Sequence, residues 1–264
     1  MIVLGHRGYP RKAVENTLES LRIACAEGAD GVEFDVQLTA DGEPVLFHDE
    51  SLKRLTGVPL RLSRLDWREL REMTVQLQGL RAQPIAHLDT VLDWWAPTRM
   101  VLNVELKVPA RSALARIEQL ARAVARRLRL AGHDPALHSR VVVSSFSSPA
   151  LAALADAAPE LQRAALIDER PLTDFWALNQ PQATDAIAQV HPPIRQLTSD
   201  KLVRWKALDW PVWPWTVNDV RDWERTAQWA QADLVHGAIT DEPGDLRRFL
   251  ERHAPALRKP KEAV

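Results

Sequence analysis

Short β-branched, apolar runs alternate with helix-spaced apolar positions along most of the chain. The first run is Ile2-Val3-Leu4. Leu18, Leu21 and Cys25 follow at helical spacing, with Asn16 or Thr17 as the cap, Glu19 placed for a capping box and Gly28 as the stop. Residues 31–38 form the next predicted strand, and Asp41-Gly42 turns it into Val45-Leu46-Phe47 as a hairpin. Residues 50–87, roughly, are arginine-rich, with Pro59 and a helix-like stretch over 67–73. They read as an insertion over the domain. The alternation then resumes, with strands at 100–106, 141–144, 164–167, 186–190, 212–216 and 234–239. Helices are predicted at 112–130, 149–157, 172–178, 199–205, 219–230 and 245–253.

With the hairpin as an accessory, this makes eight strand–helix units. Repeated β-then-α order predicts a parallel sheet with helices outside, and eight units in 264 residues favour closure into a (β/α)₈ (TIM) barrel spanning residues 1–264 as one α/β domain, with a frayed tail at 255–264. An open doubly wound sheet is the alternative. It lacks support at its usual ligand loop, because Gly5-His6-Arg7-Gly8 does not have the dinucleotide-binding glycine spacing.

A formal net charge of −1 removes the simplest electrostatic case for a nucleic-acid partner. No apolar run is long enough for a membrane span, so no stable membrane anchoring is expected. A lone cysteine, Cys25, rules out an internal disulfide and fits a cytoplasmic setting.

The strand pattern carries the candidate chemistry. Glu33 and Asp35 are two apart and share one face, while Val32, Phe34 and Val36 take the other. In isolation this is an amphipathic strand with its acidic side in water. In a barrel the apolar face meets the helices, so both carboxylates turn into a crowded interior and need a compensating positive charge. Asn103, Glu105 and Lys107 repeat the alternation. Glu33, Asp35 and Glu105 all lie near the C-terminal ends of their strands, where barrel active sites are built. Three oxygen donors without sulfur or clustered imidazole suit a hard cation, Mg²⁺ or Ca²⁺. Lys107 reads either as an ion-pair partner of these carboxylates or as a phosphate contact.

His6 ends the first strand and His48 the hairpin strand. Together they are expected to act as a general acid–base pair for phosphoryl transfer. Arg7 is placed to bind a phosphate oxygen. Glu15 and Asn16 face the same mouth, with helix capping as the structural reading of Asn16. Trp215 is a candidate apolar wall for a substrate backbone. His87 lies in the insertion, and His133, His138, His191 and His253 have no supporting context.

Taken in order, Gly5-His6-Arg7-Gly8, Glu15-Asn16-Thr17, residues 31–36, Asp41-Gly42, Val45, His48-Asp49, Glu105-Leu106-Lys107, Ser145-Phe146, Trp215-Thr216-Val217-Asn218, Thr240-Asp241 and Pro243 resemble the glycerophosphodiester phosphodiesterase family. The resemblance runs almost the full length of the chain. It implies a (β/α)₈ barrel and a bound divalent cation. It also implies hydrolysis of small-molecule glycerophosphodiesters to glycerol 3-phosphate and an alcohol. It makes Glu33, Asp35 and Glu105 the metal ligands and His6 and His48 the acid–base pair, with Arg7 and Lys107 near the phosphate and Glu15 in the same site. Alternatives are the same site acting on a lysophospholipid or another glycerol-phosphate headgroup, and a non-catalytic barrel that binds a phosphometabolite. One departure is visible: His236-Gly237 stands where the family usually carries Asp-Gly. An effect on packing rather than on chemistry is expected there.

Overall fold

A computed structural model describes residues 1–131, 139–167 and 187–257. Its framework is a parallel sheet ringed by helices. The strands are β1 (Ile2–His6), β2 (Gly31–Leu38), β6 (Val101–Leu106), β7 (Val141–Ser145), β8 (Gln162–Leu166), β9 (Gln189–His191) and β10 (Gly237–Thr240). They pair in the order β10-β1-β2-β6-β7-β8-β9, every neighbour parallel. The accessory strand β3 (Pro44–Leu46) pairs antiparallel with β2 through the predicted hairpin, Val36 facing Leu46.

The eighth position is filled by residues 212–215, which make single bridges rather than a ladder. Val190 bridges Val212 and Pro193 bridges Trp215 on one side. On the other, the His236 and Ile239 amides donate to the Val212 and Pro214 carbonyls. The sheet therefore closes, but the expected strand over 212–216 is not regular. Pro211 and Pro214 flank and interrupt it, and proline brings no N–H to a ladder.

The helices are α1 (Leu18–Ala26), the short α2 (Lys53–Thr56) and α3 (Trp67–Leu70) of the insertion, α4 (Leu88–Trp95), α5 (Leu114–Leu130), α6 (Ser148–Ala157), α7 (Ser199–Ala207), α8 (Val220–Gln231) and α9 (Pro243–His253). The helix expected over 172–178 lies outside the described residues, as do Ala186, His133, His138 and the tail beyond Leu257. The cap of α1 is Thr17, whose hydroxyl accepts from the Ser20 amide. Glu19 is therefore one position too early for the expected capping box, and Asn16 is free for other work.

Strand alternation sorts the side chains into two cores. Val32, Phe34 and Val36 of β2 and Leu102, Val104 and Leu106 of β6 are fully buried, or nearly so, against α1, α4 and α5. Each such side chain contributes roughly 1.5–3 kcal/mol by leaving water. The opposite faces fill the barrel. Leu4, Val142, Ala164, Trp213 and Ile239 plug its lower half, and Glu33, Asp35, Asn103 and Glu105 occupy its upper rim, all buried. The insertion carries a satellite core, with Leu52, Leu55, Leu62, Leu70 and Val75 packed on Val45 and Phe47. A two-stranded ribbon, β4 (Thr74–Val75) with β5 (Gln83–Pro84), completes it. His87 closes this region by capping α4, accepting from the Asp89 amide.

Candidate active site and metal centre

The pairing of β2 with β6 brings the carboxylates together. Register sets Asp35 beside Glu105 and Glu33 beside Asn103, so period-two alternation on both strands aims all of them at one point. Oxygen atoms of Glu33, Asp35 and Glu105 lie within 4.8 Å of one another, and all three residues are buried.

The cations around them are placed by local backbone geometry. Arg7 adopts φ 55° and Gly8 φ 90°. A Cβ at Gly8 would sit 2.5 Å from Ser20, so only glycine lets the chain turn there against α1. The turn delivers the Arg7 amide to Glu33 Oε2 at 3.0 Å and its guanidinium to Glu15 at 2.8 Å and Asp35 at 3.1 Å. Lys107, one residue past β6, reaches Glu105 at 2.7 Å and Asp35 at 3.1 Å, so the ion-pair reading of this lysine is observed. Asn16, at φ 56°, clamps Asp35: its Nδ2 donates to Oδ2 at 2.8 Å, and its Oδ1 accepts from the Asp35 amide at 3.0 Å. Asparagine is among the few residues that take this left-handed conformation readily. Here a predicted capping residue is a site residue instead.

These contacts divide the proton affinities. Burial pushes the Glu33 carboxyl well above its ordinary range, and Asp35 and Glu105 push it further, against only Arg7. Glu105 is raised to about 7, chiefly by burial, with Lys107 partly offsetting it. Burial acts the same way on Asp35, but Lys107, Arg7, His48 and Asn16 outweigh it and hold the carboxyl below its ordinary range. The protein groups of the site thus hold more buried acid than their cations neutralise. That imbalance, with donors that are all oxygen, fits a divalent cation as the missing charge. Asn103 adds an observation of its own. It is fully buried beside the carboxylates, and neither amide atom has a hydrogen-bond partner among the described residues.

The expectation that hydrolysis is carried by a His6/His48 acid–base pair is corrected by this arrangement. The groups that converge are the acidic trio Glu33, Asp35 and Glu105. The imidazoles are instead tied to separate carboxylates on separate elements. His6 Nδ1 lies 2.6 Å from Asp241, which Asn218 fixes through two further bonds. His48 Nδ1 lies 2.7 Å from Asp49. Burial pushes His48 below its ordinary value, and Arg7 and Lys107 add to this while Asp35 opposes it. The sequence shows Asp49 beside His48, but gives no sign that His6 pairs with Asp241.

A cavity of about 140 Å³ opens above the acidic floor. His6, Arg7, His48 and Lys107 line its polar side, and Trp215, Phe146 and Leu166 its apolar side. Trp215 meets Phe146 edge-on at 5.8 Å and donates from Nε1 to the His191 carbonyl. Glu15 stands behind Arg7 and is shared with Arg54 of α2, which also grips Asp49. Burial works to raise the Glu15 carboxyl, but the two arginines hold it below its ordinary range. Arg54, Asp241 and Asn218 were not among the candidates. Asp241 and Asn218 sit in recognised motifs but carry no spacing signal of their own, and Arg54 is one arginine among many in its segment. Asn103 did have a signal, two residues before Glu105 on the same face. His236 lies just before β10, where its Nδ1 accepts from the Val212 amide at 3.3 Å.

The sequence profile described as the glycerophosphoryl diester phosphodiesterase family matches residues 6–245. A glycerophosphodiester phosphodiesterase of Caldanaerobacter subterraneus is 27% identical over 254 residues, covering 95% of this chain and 98% of that protein. The crystal structure of a glycerophosphodiester phosphodiesterase from Thermotoga maritima superposes with a TM-score of 0.70 at 27% identity, covering 96% of this chain and 98% of the other. An Oleispira antarctica phosphodiesterase, solved in complex with the product sn-glycerol-3-phosphate, shares the fold with a TM-score of 0.76 at 23% identity, covering 95% and 97%. With the profile spanning nearly all of the barrel and its acidic rim, the chain belongs to the glycerophosphoryl diester phosphodiesterase family.

Proposed function

We propose that the chain hydrolyses glycerophosphodiesters to glycerol 3-phosphate and an alcohol with a divalent cation, Mg²⁺ or Ca²⁺, held by Glu33, Asp35 and Glu105. The observation that carries the reading is the convergence of three buried carboxylates at the floor of a cavity with cationic walls. The bound cation would supply fixed positive charge to the phosphoryl oxygens. Arg7 and Lys107 project into the same space and would hold the remaining phosphate oxygens, in a site where low dielectric strengthens such contacts. Arg7 is kept in place from behind by Glu15, itself braced by Arg54. Trp215 would cover the carbon backbone of the glycerol half.

Family membership supports the substrate class. Among the described residues no helix is long and apolar enough to cross a membrane, and we read the substrate as a water-soluble diester met in the cytoplasm, in line with the single cysteine. The test is turnover of glycerophosphocholine. Glycerol 3-phosphate and choline should be released, release should stop after exhaustive chelation, and Mg²⁺ or Ca²⁺ should restore it. An unchanged rate after chelation contradicts the reading.

A further inference from the structure

The catalytic cavity, at about 140 Å³, is below the roughly 300 Å³ at which pockets for whole small molecules begin. A diester has two halves, and the glycerophosphate half already needs the acidic floor and the cationic wall. The leaving alcohol must therefore extend beyond this space.

A second cavity, of about 240 Å³, lies beside it on the same rim, and Lys107 is part of both walls. Its floor is apolar, formed by Leu38, Ile117 and Leu120, which are buried in the outer core. Its rim is cationic: Arg61 from the insertion, Arg111 from the loop after β6 and Arg116 from α5. Among the described residues no aspartate or glutamate lines it. Acids stand outside the lining: Glu50 pairs with Arg61 at 3.2 Å and accepts from the Ala110 amide, Glu105 and Asp35 pair with Lys107 on the catalytic side, and Asp41 acts on Arg116. Arg116 is held by the Leu38 and Thr39 carbonyls. These neutral acceptors orient the guanidinium without cancelling its charge, and burial pushes Arg116 below its ordinary value. No hydrogen bond or ion pair engages the Arg111 side chain among the described residues. Ser63 and Ser112 add hydroxyls.

We propose that this second cavity is the subsite for the leaving alcohol and that it selects headgroups carrying an anionic group of their own, a terminal phosphate above all. Guanidinium groups match phosphate oxygens in pairs, and a rim whose described lining holds no carboxylate favours an anionic headgroup over a cationic one such as choline. The apolar floor takes the carbon chain between the two phosphates. This subsite rests on the hydrolytic reading above, and its test separates the two.

The variant is Arg61→Gln with Arg111→Gln. Both side chains are on the surface of the rim and outside the acidic site, so the fold and the chemistry are left intact. Steady-state kinetics are compared on glycerophosphoglycerol phosphate and on glycerophosphocholine. The wild-type chain should prefer the anionic headgroup in kcat/KM by about tenfold or more, as expected for charge-assisted contacts. The variant should lose that preference through KM, with glycerophosphocholine kinetics unchanged. Equal rates for both substrates in the wild-type chain, or an equal fall on both in the variant, overturns the subsite while leaving the hydrolytic reading in place. Binding of inorganic phosphate to the chelated protein, followed by calorimetry, supplies the second arm. One phosphate site fewer in the variant than in the wild-type chain, with neither diester hydrolysed, would overturn the hydrolytic reading but keep the anion site. The same number of phosphate sites, with the same affinities, in both proteins overturns the site.

Discussion

His191 makes the barrel interior sensitive to acid, and the size of the effect follows from its surroundings. The imidazole is fully buried on β9, stacked on Trp213 with centroids 5.3 Å apart. Nε2 lies 3.2 Å from Gln189 Oε1, and Nδ1 has no partner among the described residues. Protonation would place a charge and an unpaired N–H among apolar side chains, and burial accordingly lowers the pKa from 6.5 to about 3. The unfolded chain therefore takes up the proton first. The native state keeps its full stability above about pH 6.5 and loses it as pH falls toward 3, at about 1.4 kcal/mol per pH unit. Between pH 8 and pH 5 the loss from this one group is about 2 kcal/mol. The perturbation is His191→Gln, which cannot titrate. Urea unfolding at pH 8 and pH 5 should show the wild-type chain losing about 2 kcal/mol more than the variant over that interval, whatever the variant costs at pH 8. Parallel losses in the two proteins would refute the reasoning, because the imidazole would then be charged, or solvated, in the native barrel.

Two further outcomes follow from single contacts. Asn16→Ala removes both bonds to Asp35, one of them to a charged acceptor, and places alanine at positive φ. It should cost about 2–4 kcal/mol in chemical denaturation and weaken divalent-cation binding; a loss below 1 kcal/mol would show that the clamp is unimportant. Gly237→Ala would set a Cβ 2.8 Å from the Trp213 indole, so it should destabilise by about 1–3 kcal/mol and shift tryptophan fluorescence, and wild-type behaviour in both would place that indole elsewhere.

Much of this was legible in the sequence because it depends on alternation. Val32, Phe34 and Val36 against Glu33 and Asp35, and Leu102, Val104 and Leu106 against Asn103 and Glu105, show two strands with one apolar and one polar face. Once eight βα units argue for a closed sheet, the polar faces must meet inside. What was not legible depends on chain segments meeting across long separations. The partner of His6 illustrates this: Asp241 is 235 residues away, and nothing in either local pattern announces the bond. The left-handed turn at Asn16 converts an apparent cap into a clamp on Asp35, which no periodicity encodes. The irregularity of the segment 212–215 follows from Pro211 and Pro214, which deny a ladder to a run whose other residues are apolar.

If Glu33, Asp35 and Glu105 form one divalent-cation site, calorimetric titration of the chelated protein with Mg²⁺ and Ca²⁺ will show it. Because Glu33 is raised well above its ordinary range and Glu105 to about 7, a cation must displace protons to bind. One ion per chain should bind, with proton release visible as a dependence of the heat on buffer ionisation enthalpy and with affinity rising as pH rises toward 8. Asp35→Asn should abolish the binding while the circular dichroism spectrum stays unchanged. Undiminished binding by that variant, or no binding by the wild-type chain, would contradict the account.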